Sequence, residues 1–198
     1  PERCVEEFQE LIGMGVTSIH ILDDAFNIQK ERISAMSKSL IEHDIHIDWS
    51  ARGTVEVREE VVADLGASGC KRLHVGIEHL DDKVLEYFKK AQRLKQIERF
   101  AGLCNEHGIA ILGYFILGAP METDEYRREL PRRIEELGIK IPYFNLLAPL
   151  AETPYYRQLL EDGTLDRDYW AEFCANPVKE FEMPSGRLVR ITAFLFTG

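Results

Sequence analysis

The amino-acid sequence predicts an α/β fold in which parallel strands curve into a partial (β/α) barrel. Helical and strand-like periods alternate along most of the chain, and no hairpin signal lies between two strands. Several strands also carry a polar residue at every second position. The alternation of helices and strands stops near Thr153. Residues 1–153 are therefore predicted as barrel, and residues 154–198 as a C-terminal extension that is itself truncated.

Each element follows from the spacing of its apolar residues. Helical spacing covers residues 5–14, 29–43, 57–65, 82–107 and 124–137, with a break in the fourth segment near Gln92. Runs of β-branched and apolar residues predict strands over 16–22, 45–52, 71–78, 109–118 and 141–147. Residues 154–160 and 168–174 predict two further helices, whereas residues 187–198 carry too little signal to place. Alternating elements of this kind imply parallel strands joined by crossover helices.

The pattern inside the strands favours a barrel over a doubly wound sheet. Helices cover both faces of a doubly wound sheet, so its strands are apolar throughout. Here the polar residues His46, Asp48, Ser50 and Arg52 alternate with the apolar residues Ile45, Ile47, Trp49 and Ala51. His74, Gly76 and Glu78 alternate in the same way with Leu73, Val75 and Ile77. The polar face must be enclosed yet hydrated, which the inside of a barrel provides.

Polar residues at the carboxyl ends of the strands are the candidates for a site, because chemistry in such barrels is found there. Asp24, Arg52, Glu78, Gly118 and Asn145 would converge at that end. Gly76 would leave room for a ligand beside Glu78. Structural interpretations stay open as well: the Asp23-Asp24 pair as a helix start, an ion pair between Glu78 and Arg52, and His20 with His74 as interior histidines rather than a metal pair.

Composition argues against several classes of protein. A formal charge of −10 disfavours nucleic-acid binding, which relies on a basic face. No apolar run approaches the roughly 18–20 residues that span a bilayer. The four cysteines lie far apart, without the close spacing of a metal site, and are interpreted as reduced thiols of a cytoplasmic protein.

Five segments, taken in order, resemble the radical S-adenosylmethionine superfamily. They are HILDDAF, IDWSARG, GASGCKRLHVGIEHL, GIAILGYFILGAPMETDE and YFNLLAPLAETPYYRQLLEDG. The chain is most similar to the branch that pairs a TIM-like barrel of this type with an upstream cobalamin-binding domain, as in the anaerobic magnesium-protoporphyrin IX monomethyl ester cyclase. The tail DYWAEFCANPVKEFEMP resembles the segment that follows the barrel in that group.

The resemblance implies S-adenosylmethionine and a 4Fe–4S cluster as cofactors, with cobalamin supplied through an upstream domain. It implies that Glu78 contacts the ribose and methionine part of S-adenosylmethionine, and that Ile116, Gly118 and Pro120 lie near the adenine. Asp23, Asp24, Arg52 and Asn145 would face S-adenosylmethionine or substrate. The whole enzyme would be an iron–sulfur oxidoreductase, methyltransferase or cyclase that cleaves S-adenosylmethionine reductively and abstracts hydrogen from a small or lipophilic organic substrate. Whether that substrate is then methylated, cyclised or rearranged stays open.

Three departures from the family pattern shape the expectations. His79 stands where the family has serine, and PLAETPYY replaces PYPGTPLY. The C-x-x-x-C-x-x-C motif that holds the cluster is absent from this sequence. We therefore expect a fragment with strands two to six of the barrel but not the first, with no cofactor tightly bound, no activity of its own and no metal site. Its exposed edge would favour self-association.

Two other functions remain open on the residues alone. One is a non-radical barrel enzyme, such as a lyase or aldolase, with a metal held by Asp24, His74 and Glu78. The other is a non-catalytic binding module derived from a barrel.

Overall fold

The structure is a computed structural model that describes residues 2–24, 26–176, 181–183 and 189–191. The chain divides into two compact units, Pro1–Leu146 and Leu147–Gly198. This division falls a few residues before the boundary predicted after residue 153. Within the described ranges, no helix is both long and apolar enough to cross a membrane.

Helices and strands alternate through the first unit in the predicted order. They are α1 Glu2–Gly13, β1 Ser18–Ile21, α2 Lys30–Glu42, β2 Asp48–Gly53, α3 Glu59–Ala67, β3 Cys70–Glu78, α4 Asp82–Tyr87, α5 Leu94–Glu106, β4 Ala110–Leu117, α6 Asp124–Glu136 and β5 Ile141–Leu146. The predicted break near Gln92 separates α4 from α5. Side-chain caps fix two helix starts: Asp81 accepts hydrogen bonds from the first turn of α4, and Thr123 accepts one from the first turn of α6.

The five strands form one parallel sheet in the order β1-β2-β3-β4-β5. Crossovers between parallel strands are right-handed, so strands that follow chain order carry all their crossover helices on one face. A doubly wound sheet instead reverses its strand order at a switch point. The sequential order therefore confirms the predicted partial (β/α) barrel and excludes the doubly wound alternative.

The core lies between the sheet and its helices. On β3 the fully buried residues are Leu73, Val75 and Ile77. Trp49 of β2 packs edge-on against Phe8 of α1 and Phe26, with ring centroids 6.5 and 5.7 Å apart. Its indole N–H donates to the Ser68 carbonyl at 2.8 Å, so its one polar atom is satisfied. Burial of each such side chain stabilises the fold by about 1.5–3 kcal/mol.

The opposite face of the sheet, here called the inner face, is polar as predicted. His20 pairs in register with Ser50, and Arg52 with His74. These side chains are exposed or half-buried, whereas their neighbours along each strand point into the core. The period of two therefore separates a buried face from a hydrated one.

β1 and β5 lie at the two edges of the sheet. Every residue of β5 is exposed, including Tyr143, Phe144 and Leu146. Such an edge is a template for further pairing, and the predicted self-association remains a prediction.

The second unit contains α7 Pro154–Glu161, α8 Tyr169–Ala175 and the antiparallel pair β6 Phe181–Met183 and β7 Val189–Ile191. The two predicted helices are confirmed to within one residue at each end. A small core forms around Tyr156 and Tyr169, and Tyr156 donates its hydroxyl to Asp168 at 2.8 Å. Of the C-terminal segment that the sequence left unplaced, residues 187–188 and 192–198 lie outside the described residues.

Candidate functional site at the carboxyl ends of the strands

The carboxyl ends of the strands, with the loops that follow them, form the rim of the sheet. On β1 and β2 the rim carries Asp24 and Arg52, which form an ion pair of 3.2 Å. The Asp24 side chain is 96% exposed, so the pair contributes at most about 1 kcal/mol. Asp23 beside it is exposed as well. The predicted proximity of Asp24 and Arg52 is confirmed, and both remain accessible to a ligand.

Glu78 ends β3 in an unusual backbone conformation. Its φ is +64°, and the register between β3 and β4 shifts between Gly76 and Glu78. A Cβ atom on Gly76 would lie 2.6 Å from Glu78 Oε1, so the Glu78 side chain folds back over Gly76. Residues 74 and 76 share one face of the strand, and the Glu78 carboxylate lies where a Cβ on Gly76 would point. The carboxylate therefore lies on the inner face, although the regular alternation is broken at Glu78. This confirms the predicted side of the sheet.

The partner of Glu78 is Lys90, not the Arg52 that the sequence left open as an alternative. Lys90, in the loop between α4 and α5, contacts the Glu78 carboxylate at 2.8 Å. Gln92 fastens the same loop by donating to the carbonyls of Gly76 and Ile77 at 2.9 and 2.8 Å. The alternative of an ion pair between Glu78 and Arg52 is not supported, because Lys90 pairs with Glu78 and Asp24 pairs with Arg52.

The loop after β4 is held by a buried carboxylate. Gly118 adopts φ +94°, and its N–H donates to Glu122 Oε2 at 3.0 Å. Arg127 donates to the other oxygen of Glu122 at 2.7 Å. The Glu122 side chain is fully buried. The buried Glu122 side chain therefore fixes the conformation of the loop. Pro120 is exposed in the same loop.

Ile116 and Asn145 lie side by side on the rim, since they pair in register between β4 and β5. Ile116 is half-buried and Asn145 exposed. The predicted site residues thus form two separate groups: Ile116 with Asn145 on β4 and β5, and Asp24 with Arg52 at the ends of β1 and β2.

A cluster that sequence reasoning missed lies behind the rim. The His79 ring stacks on Tyr126 with centroids 3.9 Å apart, and its Nε2 lies 3.6 Å from Glu122 Oε2. Tyr126 also accepts the Leu80 N–H at 3.0 Å, and Arg133 donates to the Leu80 carbonyl at 2.8 Å. These contacts tie the loop after β3 to α6. In the sequence, His79 stands out only as a departure from the family serine, and Glu122 only as part of a loop motif.

Burial governs the titration of this cluster. Since the distance from His79 to Glu122 is too long for a strong hydrogen bond, desolvation outweighs the carboxylate and lowers the pKa of His79 below its ordinary value. Burial likewise raises the pKa of Tyr126 to about 12. Both rings are therefore neutral at physiological pH.

The inner face carries two histidines in contact. The rings of His20 and His74 lie 4.7 Å apart, His20 Nδ1 is 2.8 Å from Ser50 Oγ, and His74 Nδ1 is 3.5 Å from the Tyr114 hydroxyl. Desolvation, and then the nearby His20 and arginines, lower the pKa of His74.

Two of the four cysteines are poorly suited to bind a metal or an iron–sulfur cluster. Cys70 and Cys104 are buried, and desolvation raises the pKa of Cys70 to about 12, which suppresses the thiolate that binds metal. No group of three or more metal-ligating side chains exists within the described part of the chain. The alternative metal site at Asp24, His74 and Glu78 is not supported, since Arg52 and Lys90 pair with the two carboxylates.

Comparison with known proteins gives consistent relatives. The family model described as the Radical SAM superfamily matches residues 1–134. An uncharacterized methyltransferase of Pyrococcus horikoshii is 27% identical over 87% of this chain and 38% of its own length. Bacteriochlorophyllide d C-12(1)-methyltransferase of Chlorobaculum tepidum is 27% identical over 76% of this chain and 33% of its own length. The chain thus spans little more than a third of these curated relatives.

One solved structure of similar fold is TsrM from Kitasatospora setae, a radical S-adenosylmethionine methyltransferase with cobalamin and a 4Fe–4S cluster bound. It superposes with a TM-score of 0.66 at 23% identity, covering 82% of this chain and 34% of TsrM.

Proposed function

Because the chain belongs to the radical S-adenosylmethionine superfamily, we propose that it is the barrel part of a cobalamin-dependent radical S-adenosylmethionine methyltransferase. The main support for this proposal is that the two curated relatives described above, which match three quarters or more of this chain, are methyltransferases. The sequence resemblance implied hydrogen abstraction and left open whether the substrate is methylated, cyclised or rearranged. The relatives favour methyl transfer, here to a small organic acceptor.

The rim supplies the proposed contacts for S-adenosylmethionine. Ile116, Gly118 and Pro120 would receive the adenine, and the buried Glu122 supports this role by fixing the Gly118 backbone. Glu78 would accept a hydrogen bond from the ribose or the methionine ammonium. The inward fold of its side chain over Gly76 supports that assignment.

The other rim residues are proposed to face substrate or the methionine part of S-adenosylmethionine. Asp24 and Arg52 carry opposite charges and are both accessible, so they can bind a zwitterionic or hydroxylated group. Asp23 is exposed beside Asp24, and Asn145 is exposed on β5 beside Ile116; both are proposed as further polar contacts.

The cluster is proposed to be held outside this sequence. Cysteines in a C-x-x-x-C-x-x-C motif would bind it in a longer protein that contains this chain, because the four cysteines here lie far apart in sequence and two of them are buried. The isolated chain is accordingly proposed to be inactive, and no step of the reaction is assigned to its thiols.

Methyl transfer is tested on that longer protein, reduced anaerobically with cobalamin and S-adenosylmethionine labelled in its methyl group. We expect the label to appear in an organic acceptor. Formation of 5′-deoxyadenosine from the substrate-bound enzyme, with no labelled acceptor, would contradict methyl transfer and restore hydrogen abstraction.

The S-adenosylmethionine site is tested on the 198-residue chain by calorimetry. We expect millimolar affinity or weaker, because one charged hydrogen bond of about 1.5–3 kcal/mol and a partly buried adenine must offset an association cost of about 4–15 kcal/mol. Glu78→Gln should weaken binding further, whereas Glu86→Gln on the exposed side of α4 should not. Equal affinities of the two variants would exclude Glu78 from the site.

A further inference from the structure

A groove on the inner face of the sheet lies apart from the rim contacts proposed above. Its volume is about 440 Å³, and its walls include His20, Ser50, Arg72 and His74 together with the charged pair Asp48 and Lys71. We call the space between the first four residues the inner groove. They come from β1, β2 and β3, so the parallel register of the sheet holds them in place.

Arg72 gives the inner groove an uncompensated positive charge. Arg72 is exposed and pairs in register with Ser50. The other cations nearby are engaged: Arg52 with Asp24 at 3.2 Å, and Lys71 with Asp48 at 3.9 Å. Within residues 2–24 and 26–176, by contrast, no carboxylate lies within ion-pair distance of Arg72. A free guanidinium offers parallel N–H donors that match a carboxylate.

Aromatic rings extend the inner groove across the sheet. Ring centroids are separated by 4.7 Å from His20 to His74, 6.5 Å from His74 to Tyr114 and 5.6 Å from Tyr114 to Tyr143. His74 Nε2 is buried and has no hydrogen-bond partner in the described part of the structure. The row of rings provides flat surfaces against which another ring can stack.

We propose that the inner groove binds an aromatic carboxylic acid. Its carboxylate would lie against the Arg72 guanidinium and the Ser50 hydroxyl, and its ring against His74 and Tyr114. The binding of the acid does not depend on the proposed function. Only its role as the methyl acceptor rests on that function.

Binding is tested on the 198-residue chain by following the imidazole resonances of His20 and His74 in NMR spectra. The probe is benzoate, with the uncharged benzamide as its isosteric control. We expect saturable shifts with benzoate and an affinity at least about tenfold weaker for benzamide, since a hydrogen bond to a charged group is worth about one to two powers of ten in affinity. Equal affinities for the two probes would overturn the proposal.

Two variants locate the ligand. Arg72→Gln should weaken benzoate binding about tenfold, whereas Arg32→Gln, an exposed arginine of α2, should leave it unchanged. Tyr114→Leu should weaken benzoate but not acetate. If Arg72→Gln binds benzoate as tightly as the unchanged chain, or if inorganic phosphate binds as tightly as benzoate, the aromatic acid is excluded. The measurement needs neither S-adenosylmethionine nor a cluster, so its failure leaves the proposed methyl transfer untouched.

Discussion

Replacement of Glu122 by alanine should destabilise the first unit more than the replacement of an exposed glutamate or aspartate would. The Glu122 side chain is fully buried and accepts hydrogen bonds from the Gly118 N–H at 3.0 Å and from Arg127 at 2.7 Å. In the variant the Gly118 N–H loses its acceptor, the Glu122 carboxylate. Arg127 itself stays partly exposed, at 28%, and can turn toward water.

The magnitude follows from these two contacts. Loss of the charged hydrogen bond to Gly118 costs about 1.5–3 kcal/mol, and the partly solvated contact with Arg127 adds up to about 1 kcal/mol. We therefore expect the free energy of unfolding to fall by about 3 kcal/mol. For a chain of this size, that corresponds to a decrease in Tm of about 6–12 °C.

Urea unfolding followed by circular dichroism is the assay, with Glu136→Ala as the matched control. Glu136 forms an exposed ion pair with Arg132, in which the side chains are 57% and 63% exposed. Its loss should cost about 0.3–0.5 kcal/mol. If the two variants lose the same free energy within about 0.5 kcal/mol, the buried carboxylate does not stabilise the loop after β4.

Three further outcomes are expected. Gly76→Ala should displace the Glu78 carboxylate and lower the free energy of unfolding by less than about 1 kcal/mol, because only a flexible side chain must move. Gly102→Ala, in open space on α5, should instead raise the free energy of unfolding by about 0.5–1 kcal/mol. Urea unfolding of both variants measures these changes. Stability should fall as pH drops below about 6.5, because the unfolded state then protonates His74 and His79, whose pKa values are both lowered in the folded state. His79→Gln should reduce the slope of stability against pH, and an unchanged slope would contradict this. Finally, the elution volume in size-exclusion chromatography should decrease with concentration, and Phe144→Lys on the edge strand should abolish that shift.

The sequence allowed the order of elements and the two faces of the sheet to be predicted because both depend on local periodicity. The break near Gln92 and the inward position of Glu78 belong to this class. The partner of Glu78 could not be predicted, since Lys90 reaches it only through a loop that Gln92 fastens to β3. Periodicity carries no information about such a loop.

The cluster around His79 could not be predicted for a related reason. His79 and Glu122 lie far apart along the chain, and a histidine after a strand is as compatible with an exposed loop as with a buried stack. Their contact depends on the crossover that places α6 beside the end of β3. The pairing of Asp24 with Arg52 was predictable because adjacent parallel strands end together.

The contacts of Tyr126 and Glu122 make the rim unequal in its two halves. Leu80 and Gly118 donate their backbone N–H groups into one shared network, so their amide hydrogens should exchange with solvent in a single cooperative opening. The Asp24–Arg52 half has only an exposed ion pair and can rearrange independently. If a ligand bridges the two halves, the half that contains Leu80 and Gly118 is already preorganised. The loss of conformational entropy on binding would then come mainly from ordering the Asp24–Arg52 half.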